Sequence, residues 1–163
     1  VLLLEGNGCR AAAGAAFPGR HAFSDRVGAG RPDEDDLAQI RDFAARTAQK
    51  LSGEVLPPLE MDRSEIGPYY IPLKEDMSPA KFLKAKPLTD GAKCLRCGLC
   101  ARSCPVCSID TETMEAAGLC IKCQACVRRC PVRAKYLEDP DFLSHVAMLE
   151  QNYARRAEAQ ILI

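Results

Sequence analysis

The chain has 163 residues with 22 Lys and Arg against 22 Asp and Glu, which allows one domain or two small ones and leaves no net charge. Balanced charge argues against a general affinity for nucleic acid or for acidic membranes. The longest apolar run, residues 11–17, is far too short to cross a bilayer, and no signal peptide is recognisable.

The first segment has the pattern of a helix end, a strand and a long loop. Residues 2–8 are typical of the last turn of a helix, with Gly6 or Gly8 free to take the left-handed cap conformation. The small apolar residues that follow, 9–16, predict a buried strand. A Gly-rich loop then extends to Arg31.

A helix is predicted after this loop. Pro32 and the acidic residues 33–36 mark its start, because carboxylates are favoured at the positive end of the helix dipole. We interpret this acidic run as a helix-start cluster and not as a metal site. Apolar residues at helical spacing continue to about Ser52. Residues 1–52 are therefore predicted to be the last helix, strand and helix of an α/β domain.

Residues 53–85 form a predicted linker, because six prolines between residues 53 and 91 interrupt any long element. One turn of helix is predicted after Pro79. Four short strands are predicted in the cysteine-rich region that follows, the middle two as a hairpin and the last beside the first. These strands are residues 86–89, 108–110, 114–117 and 135–137.

Asp139 and Pro140 predict the start of a final helix. Its apolar face comprises Phe142, Val146, Leu149 and Tyr153. Arg155 and Arg156 are expected in its last turns, where the helix dipole favours cations. We predict this C-terminal helix over residues 139–163.

The strongest pattern in the sequence is a repeated motif of the form C-x2-C-x2-C-x3-C-P. The second copy follows the first after 26 residues, and the repeated thiols are Cys94, Cys97, Cys100, Cys104, Cys120, Cys123, Cys126 and Cys130. Eight thiols at this spacing predict the ligands of two iron–sulfur clusters, since each tight run of three can surround one corner of a cubane. Nine of the ten cysteines lie in this region, which argues against a secreted disulfide framework. We therefore expect a reducing cytoplasm.

Structural zinc is the alternative to a cluster. Zinc takes four thiolates, usually as paired C-x2-C knuckles separated by a longer loop. Three evenly spaced cysteines followed by a fourth and a proline, twice over, favour cubane clusters. Cys9 and Cys107 are interpreted as packing residues, because the ligand set is complete without them.

Core size and charge also bear on the chemistry of this region. Its apolar residues make only a small hydrophobic core, so we expect the fold of this region to depend on the bound clusters. Residues 94–137 contain seven basic residues and three acidic ones. Two cubanes of about −2 each would roughly cancel this excess, and nearby cations should raise the reduction potential.

Residues 86–138 resemble the two-cluster bacterial-type ferredoxin family on these motifs. The resemblance implies an α+β fold, a dicluster βαββαβ module with two [4Fe-4S] clusters. In that family the fourth cysteine of each run ligates the other cluster. Applied to this chain, the resemblance implies that Cys94, Cys97, Cys100 and Cys130 hold one cluster. The other cluster would be held by Cys120, Cys123, Cys126 and Cys104. The family often has Gly shortly after each Cys-Pro, where this chain has Cys107 and Arg133.

The chain as a whole resembles flavodoxin–ferredoxin fusion proteins of anaerobic bacteria. The resemblance rests on the loop 22–24, the helix start 29–37 and the closing helix, and it implies that residues 1–52 end a flavodoxin-like domain. The sequence begins at Val1 without an initiator Met and has no hydroxyl- and Gly-rich turn to hold a phosphate. We therefore expect a longer parent protein, and not this chain, to bind FMN.

The predicted function is electron transfer without substrate chemistry of its own. Single electrons would pass between a flavin, or another donor, and a redox partner protein or fused flavodoxin domain. One alternative is the cluster-bearing part of a flavin-dependent reductase with a specific substrate. Another is a zinc- or cluster-stabilised interaction module without redox cycling.

Overall fold

The computed structural model describes residues 6–57, 59 and 68–163. Within these residues the fold is a small mixed α/β one, with four fully described helices and two antiparallel sheets of two strands each. The elements are β1 (Gly14–Ala16), α1 (Glu34–Leu51), β2 (Leu88–Thr89), α2 (Leu99–Arg102), α3 (Ala125–Arg128), β3 (Lys135–Tyr136), α4 (Pro140–Asn152) and β4 (Gln160–Leu162). No helix in the described ranges has the length and apolarity that crossing a membrane requires.

The chain divides into two compact units. Unit 1 comprises Val1–His21, Asp25–Tyr69 and Ala154–Ile163, and unit 2 comprises Ala22–Ser24 and Tyr70–Tyr153. Most of the helix end predicted over residues 2–8 lies outside the described residues, although Gly8 has the expected left-handed conformation with a φ of 77°.

The sheet of unit 1 pairs β1 with β4. The two strands are antiparallel, with Gly14 opposite Leu162 and Ala16 opposite Gln160. The strand predicted over residues 9–16 is therefore shorter than expected. Its partner is the antiparallel strand β4.

The C-terminal helix starts as predicted and ends earlier. Asp139 is the N-cap of α4, and its carboxylate accepts a hydrogen bond from the Phe142 N–H at 2.9 Å. The helix ends at Asn152, so the prediction of a helix through residue 163 is wrong. Arg156 lies beyond the helix and pairs with Asp33 at 2.5 Å. This ion pair and the pairing of β4 with β1 replace the last helical turns.

The acidic residues 33–36 start α1, as predicted. The carboxylate of Asp33 accepts from the Asp36 N–H at 3.0 Å, and the carboxylate of Asp36 accepts from the Asp33 N–H at 2.9 Å, which is a capping box. Asp36 is fully buried and forms a bidentate pair with the Arg31 guanidinium. Hydrogen bonding to Arg31 holds the pKa of Asp36 well below its usual range.

We expect Asp36→Asn to lower the Tm of unit 1 by on the order of 5 °C or more at pH 7, because Arg31 loses its buried partner. A carboxyl with a lowered pKa stabilises the fold above its unfolded pKa, and this stability is lost as the pH falls. The difference from the wild type should therefore shrink below about pH 4. Thermal unfolding followed by circular dichroism at pH 7 and pH 3 measures both effects.

The control is Asp42→Asn on the same helix. Asp42 is exposed, and its carboxylate lies 3.5 Å from the Arg46 guanidinium. Such a surface ion pair is expected to contribute little to the stability of the fold. Equal melting temperatures for Asp36→Asn and Asp42→Asn at pH 7 would contradict the prediction.

The cysteine region of unit 2 follows the predicted element order with shorter strands. β2 pairs antiparallel with β3, so that Thr89 lies opposite Lys135. The predicted hairpin is reduced to one antiparallel bridge between Ile109 and Ala116. Along the chain, the order is therefore β2, α2, the two bridged residues Ile109 and Ala116, α3 and β3. The helical turn predicted after Pro79 does not form, and that proline instead makes a bridge with Leu73.

The aromatic core of unit 2 lies on α4. The ring of Phe142 meets Phe23 and Phe82 edge-on, at centroid distances of 5.0 and 5.6 Å. His145 is buried one turn later, and its Nδ1 donates to the Leu73 carbonyl oxygen at 2.7 Å. Phe142, Met148 and Leu149 of this helix are all buried, so it provides much of the apolar core of unit 2.

Candidate metal centres

The two cysteine runs have the same backbone conformation. Each run contains a four-residue helix, α2 in the first and α3 in the second, and equivalent residues are 26 apart. The residue before each helix, Gly98 or Gln124, is left-handed with a φ of 70° or 60°. The sequence repeat is therefore also a structural repeat.

Left-handed residues recur in phase at three places in the repeat. The equivalent pairs are Arg96 with Lys122, Gly98 with Gln124, and Cys107 with Arg133. Residues other than Gly take this conformation rarely, so its recurrence indicates a turn that both runs require. Cys107 and Arg133 have φ values of 49° and 51°, a conformation that Gly adopts more readily than other residues.

The turn after each fourth cysteine directs a backbone N–H at its sulfur. The Ser108 N–H donates to Cys104 Sγ at 3.2 Å, and the equivalent Ala134 N–H donates to Cys130 Sγ at 3.1 Å. The left-handed residues are thus part of the thiol environment.

One cavity, with about 340 Å³ of empty space that includes open solvent at its mouth, brings together three cysteines of the first run and the fourth cysteine of the second. We name it the first cavity. Its lining residues are Cys94, Leu95, Cys97, Gly98, Leu99, Cys100, Met114, Cys130, Pro131, Val132, Ala134 and Lys135.

A second cavity, with about 380 Å³ of empty space that includes open solvent at its mouth, has the reciprocal composition. It brings together three cysteines of the second run and Cys104 of the first. Its lining residues are Pro87, Cys104, Val106, Ser108, Ile109, Ala116, Cys120, Ile121, Lys122, Cys123, Gln124 and Cys126. The eight cysteines therefore fall into two groups, each with three cysteines of one run and the fourth cysteine of the other.

Two of the thiols have pKa values that are shifted in opposite directions. Burial raises the pKa of Cys126 to about 11, and the positive charge of Lys135 opposes that rise. Burial acts in the same direction on Cys130, but the surrounding backbone N–H groups outweigh it and lower the pKa of Cys130. Binding of a metal or cluster would deprotonate all of these thiols and release protons.

The number of cysteines in each cavity suits a cluster. Within residues 6–57, 59 and 68–163, no group of three His, Cys, Asp or Glu side chains converges closely enough to hold one metal ion. A cubane makes a different demand, because each of its four thiolates binds a separate iron atom. Four cysteines line each cavity, which is the number of thiolates that one cubane needs. The donor sets therefore fit one cubane in each cavity.

The two remaining cysteines are exposed. Cys9 precedes β1, and Cys107 lies in the turn after the first run. Their interpretation as packing residues is therefore wrong. Cys107 is not among the residues that line either cavity. Its φ of 49° places it at the tight point of its turn, away from the core.

Met114 is a site residue that sequence reasoning missed. It is buried in the wall of the first cavity, and its Sδ lies 3.8 Å from Cys100 Sγ. The Asp110 carboxylate accepts from the N–H groups of Glu112 and Thr113, and this turn directs Met114 inward. The Asp-x-x-Thr pattern before it is the only local signal of that turn.

Comparison of the chain with protein-family models, with curated proteins and with solved structures finds no match. The chemistry of the two cavities has to be inferred from their own residues.

Proposed function

We propose that this chain is an electron-transfer protein with two [4Fe-4S] clusters, one in each cavity. The single observation that carries the proposal is the composition of the cavities, since each is lined by four cysteines drawn from both runs. A cluster, when bound, takes up and releases one electron. We propose Cys94, Cys97, Cys100 and Cys130 as ligands of one cluster, and Cys104, Cys120, Cys123 and Cys126 as ligands of the other.

The residues around the ligands support electron exchange with a partner protein. Cys97 and Cys123 are exposed, so one corner of each site lies near solvent, where a partner protein can approach. Basic side chains are held close by, with Arg102 donating to the Cys97 carbonyl oxygen at 3.1 Å and Lys122 donating to the Cys120 carbonyl oxygen at 3.2 Å. Their charges offset the negative charge of thiolate-bound clusters.

The partners follow from this chemistry. A flavin in a separate protein, or in a flavodoxin domain of a longer parent that holds FMN, can exchange one electron at a time with such clusters. Oxygen-sensitive thiolate sites of this kind favour a reducing cytoplasm. We propose that neither nucleic acid nor membrane takes part.

Metal and sulfide content tests the proposal. Anaerobically reconstituted protein is expected to contain about eight iron and eight acid-labile sulfide per chain and to be reduced by one electron per cluster. Iron, sulfide and zinc assays with a spectroscopically monitored redox titration measure this. Stoichiometric zinc without sulfide would refute the proposal, and rapid reoxidation by one metabolite would favour a reductase.

A further inference from the structure

Lys135 is a buried lysine in the wall of the first cavity. Its exposed fraction is 3%, and it lies in β3 directly opposite Thr89. Lysine is almost never fully buried unless its charge is paired. The position of Lys135 therefore requires a physical explanation.

The hydrogen bonds of Lys135 do not neutralise its charge. Its Nζ donates to Thr89 Oγ1 at 2.6 Å and to the Met114 carbonyl oxygen, and both acceptors are neutral. In the part of the chain that the structure describes, no carboxylate forms an ion pair with Lys135. A buried ammonium group without a counter-charge is costly, so an anion is expected nearby.

The first cavity supplies a place for that anion. Lys135 is the one charged residue among those that line it, and the others are cysteines, Gly98 and apolar residues. The basic residue of the second cavity, Lys122, differs in being half-exposed and in contacting the Leu83 carbonyl oxygen at 2.6 Å. A [4Fe-4S] cluster with four thiolates carries about −2, and about −3 after reduction.

We propose, on the basis of the function proposed above, that Lys135 is the internal counter-ion of the cluster held by Cys94, Cys97, Cys100 and Cys130, and that it raises the reduction potential of that cluster. A positive charge stabilises the reduced state more than the oxidised state, because reduction adds one negative charge. Lys135 is a positioning residue that sets the potential through charge. It neither ligates iron nor accepts the electron.

The expected size of the effect follows from Coulomb's law. A unit charge about 10 Å away, at an effective dielectric constant of about 20, changes an equilibrium by about tenfold or more. For a one-electron couple, a tenfold change in the ratio of reduced to oxidised cluster corresponds to about 59 mV. Removal of the charge should lower the potential by this amount.

The test uses the full chain, reconstituted anaerobically, with two neutral variants. Lys135→Met keeps the length of the side chain, and Lys135→Gln keeps N–H donors for Thr89 and Met114. At a fixed applied potential, both should show at least a tenfold lower reduced-to-oxidised ratio for the cluster that Cys130→Ala removes. The charge of Lys135 also acts on Cys126 of the second cavity, so a change confined to the other cluster would overturn the assignment. Lys135→Arg restores the charge and should return the ratio toward that of the wild type. Redox titration followed by electron paramagnetic resonance measures these ratios.

Lys86→Met is the matched control. Lys86 is an exposed lysine of unit 2 whose Nζ donates to the Ala117 carbonyl oxygen at 3.2 Å. Its removal should change the ratio less than twofold, because solvent screens its charge. An unchanged ratio in both neutral variants, or an equal change in Lys86→Met, would overturn the role of Lys135.

The iron content of the reconstituted variants distinguishes the remaining outcomes. Neutral variants that retain only about four iron while Lys135→Arg retains about eight would support the counter-ion role, since the charge would then be needed to hold the cluster. Absence of iron and sulfide from the wild-type chain would instead refute the proposed function. Normal clusters with an unmoved potential would refute only the role of Lys135.

Discussion

Cys130→Ala is expected to remove the cluster of the first cavity and to leave the cluster of the second cavity in place. Iron should fall from about eight toward about four per chain, because one cubane loses a quarter of its thiolates. Cys130 belongs to the second run in sequence but lines the cavity of Cys94, Cys97 and Cys100. The crossed grouping therefore predicts damage at the first run.

Alkylation by iodoacetamide under anaerobic conditions, followed by peptide mass spectrometry, identifies which thiols become free. In Cys130→Ala, the thiols of the first cavity should become reactive, whereas those of the second cavity should stay protected. Cys104→Ala should give the reverse result. Reactivity of Cys120, Cys123 and Cys126 in the Cys130→Ala protein would show that the grouping is not crossed.

Cys107→Ser is the control for this experiment. Cys107 is exposed and lies only three residues after Cys104. The variant should keep about eight iron per chain, since all eight proposed ligands remain. Cys9 should be alkylated in every variant, and Cys107 in every variant that retains it, which provides an internal check on the reagent.

Removal of both clusters is expected to unfold the cysteine region of unit 2. Its strands have two residues each, and its helices have four. The buried apolar side chains of this region are few, namely Ile109, Met114, Cys126 and Ala134. By contrast, Leu95, Leu119 and Ile121 are 66%, 79% and 54% exposed. Little apolar burial remains to hold the fold without the clusters.

Hydrogen exchange measures this unfolding along the chain. After anaerobic removal of iron with a chelator, amide protection between β2 and β3 should fall by about a hundredfold or more, since a ligand bound far above its dissociation constant contributes that much. α1 serves as the internal control, because its capping box and the Arg31–Asp36 pair contain no cluster ligand. Unchanged protection between β2 and β3 would mean that the clusters do not stabilise this region.

Sequence alone determined the features of this protein that depend on neighbouring residues. The repeated cysteine spacing predicted two equivalent turns, and α2 and α3 are equivalent elements 26 residues apart. The starts of α1 and α4 were also predictable, because Asp33 and Asp139 cap residues three positions away. Interactions between residues three or four positions apart can be predicted from the local sequence, because both partners lie within the same short segment.

The tertiary structure decided what depends on residues far apart in the chain. No local pattern predicts that β4 pairs with β1 or that Arg156 ends up beside Asp33. The resemblance implied the crossed cysteine groups, but the cavities themselves depend on how the two runs pack. Lys135 counted in the sequence as one of seven bases, and its burial against Thr89 and Met114 arises only when β2 and β3 pair. Such contacts are set by packing and long-range pairing, whose energies a local sequence pattern does not contain.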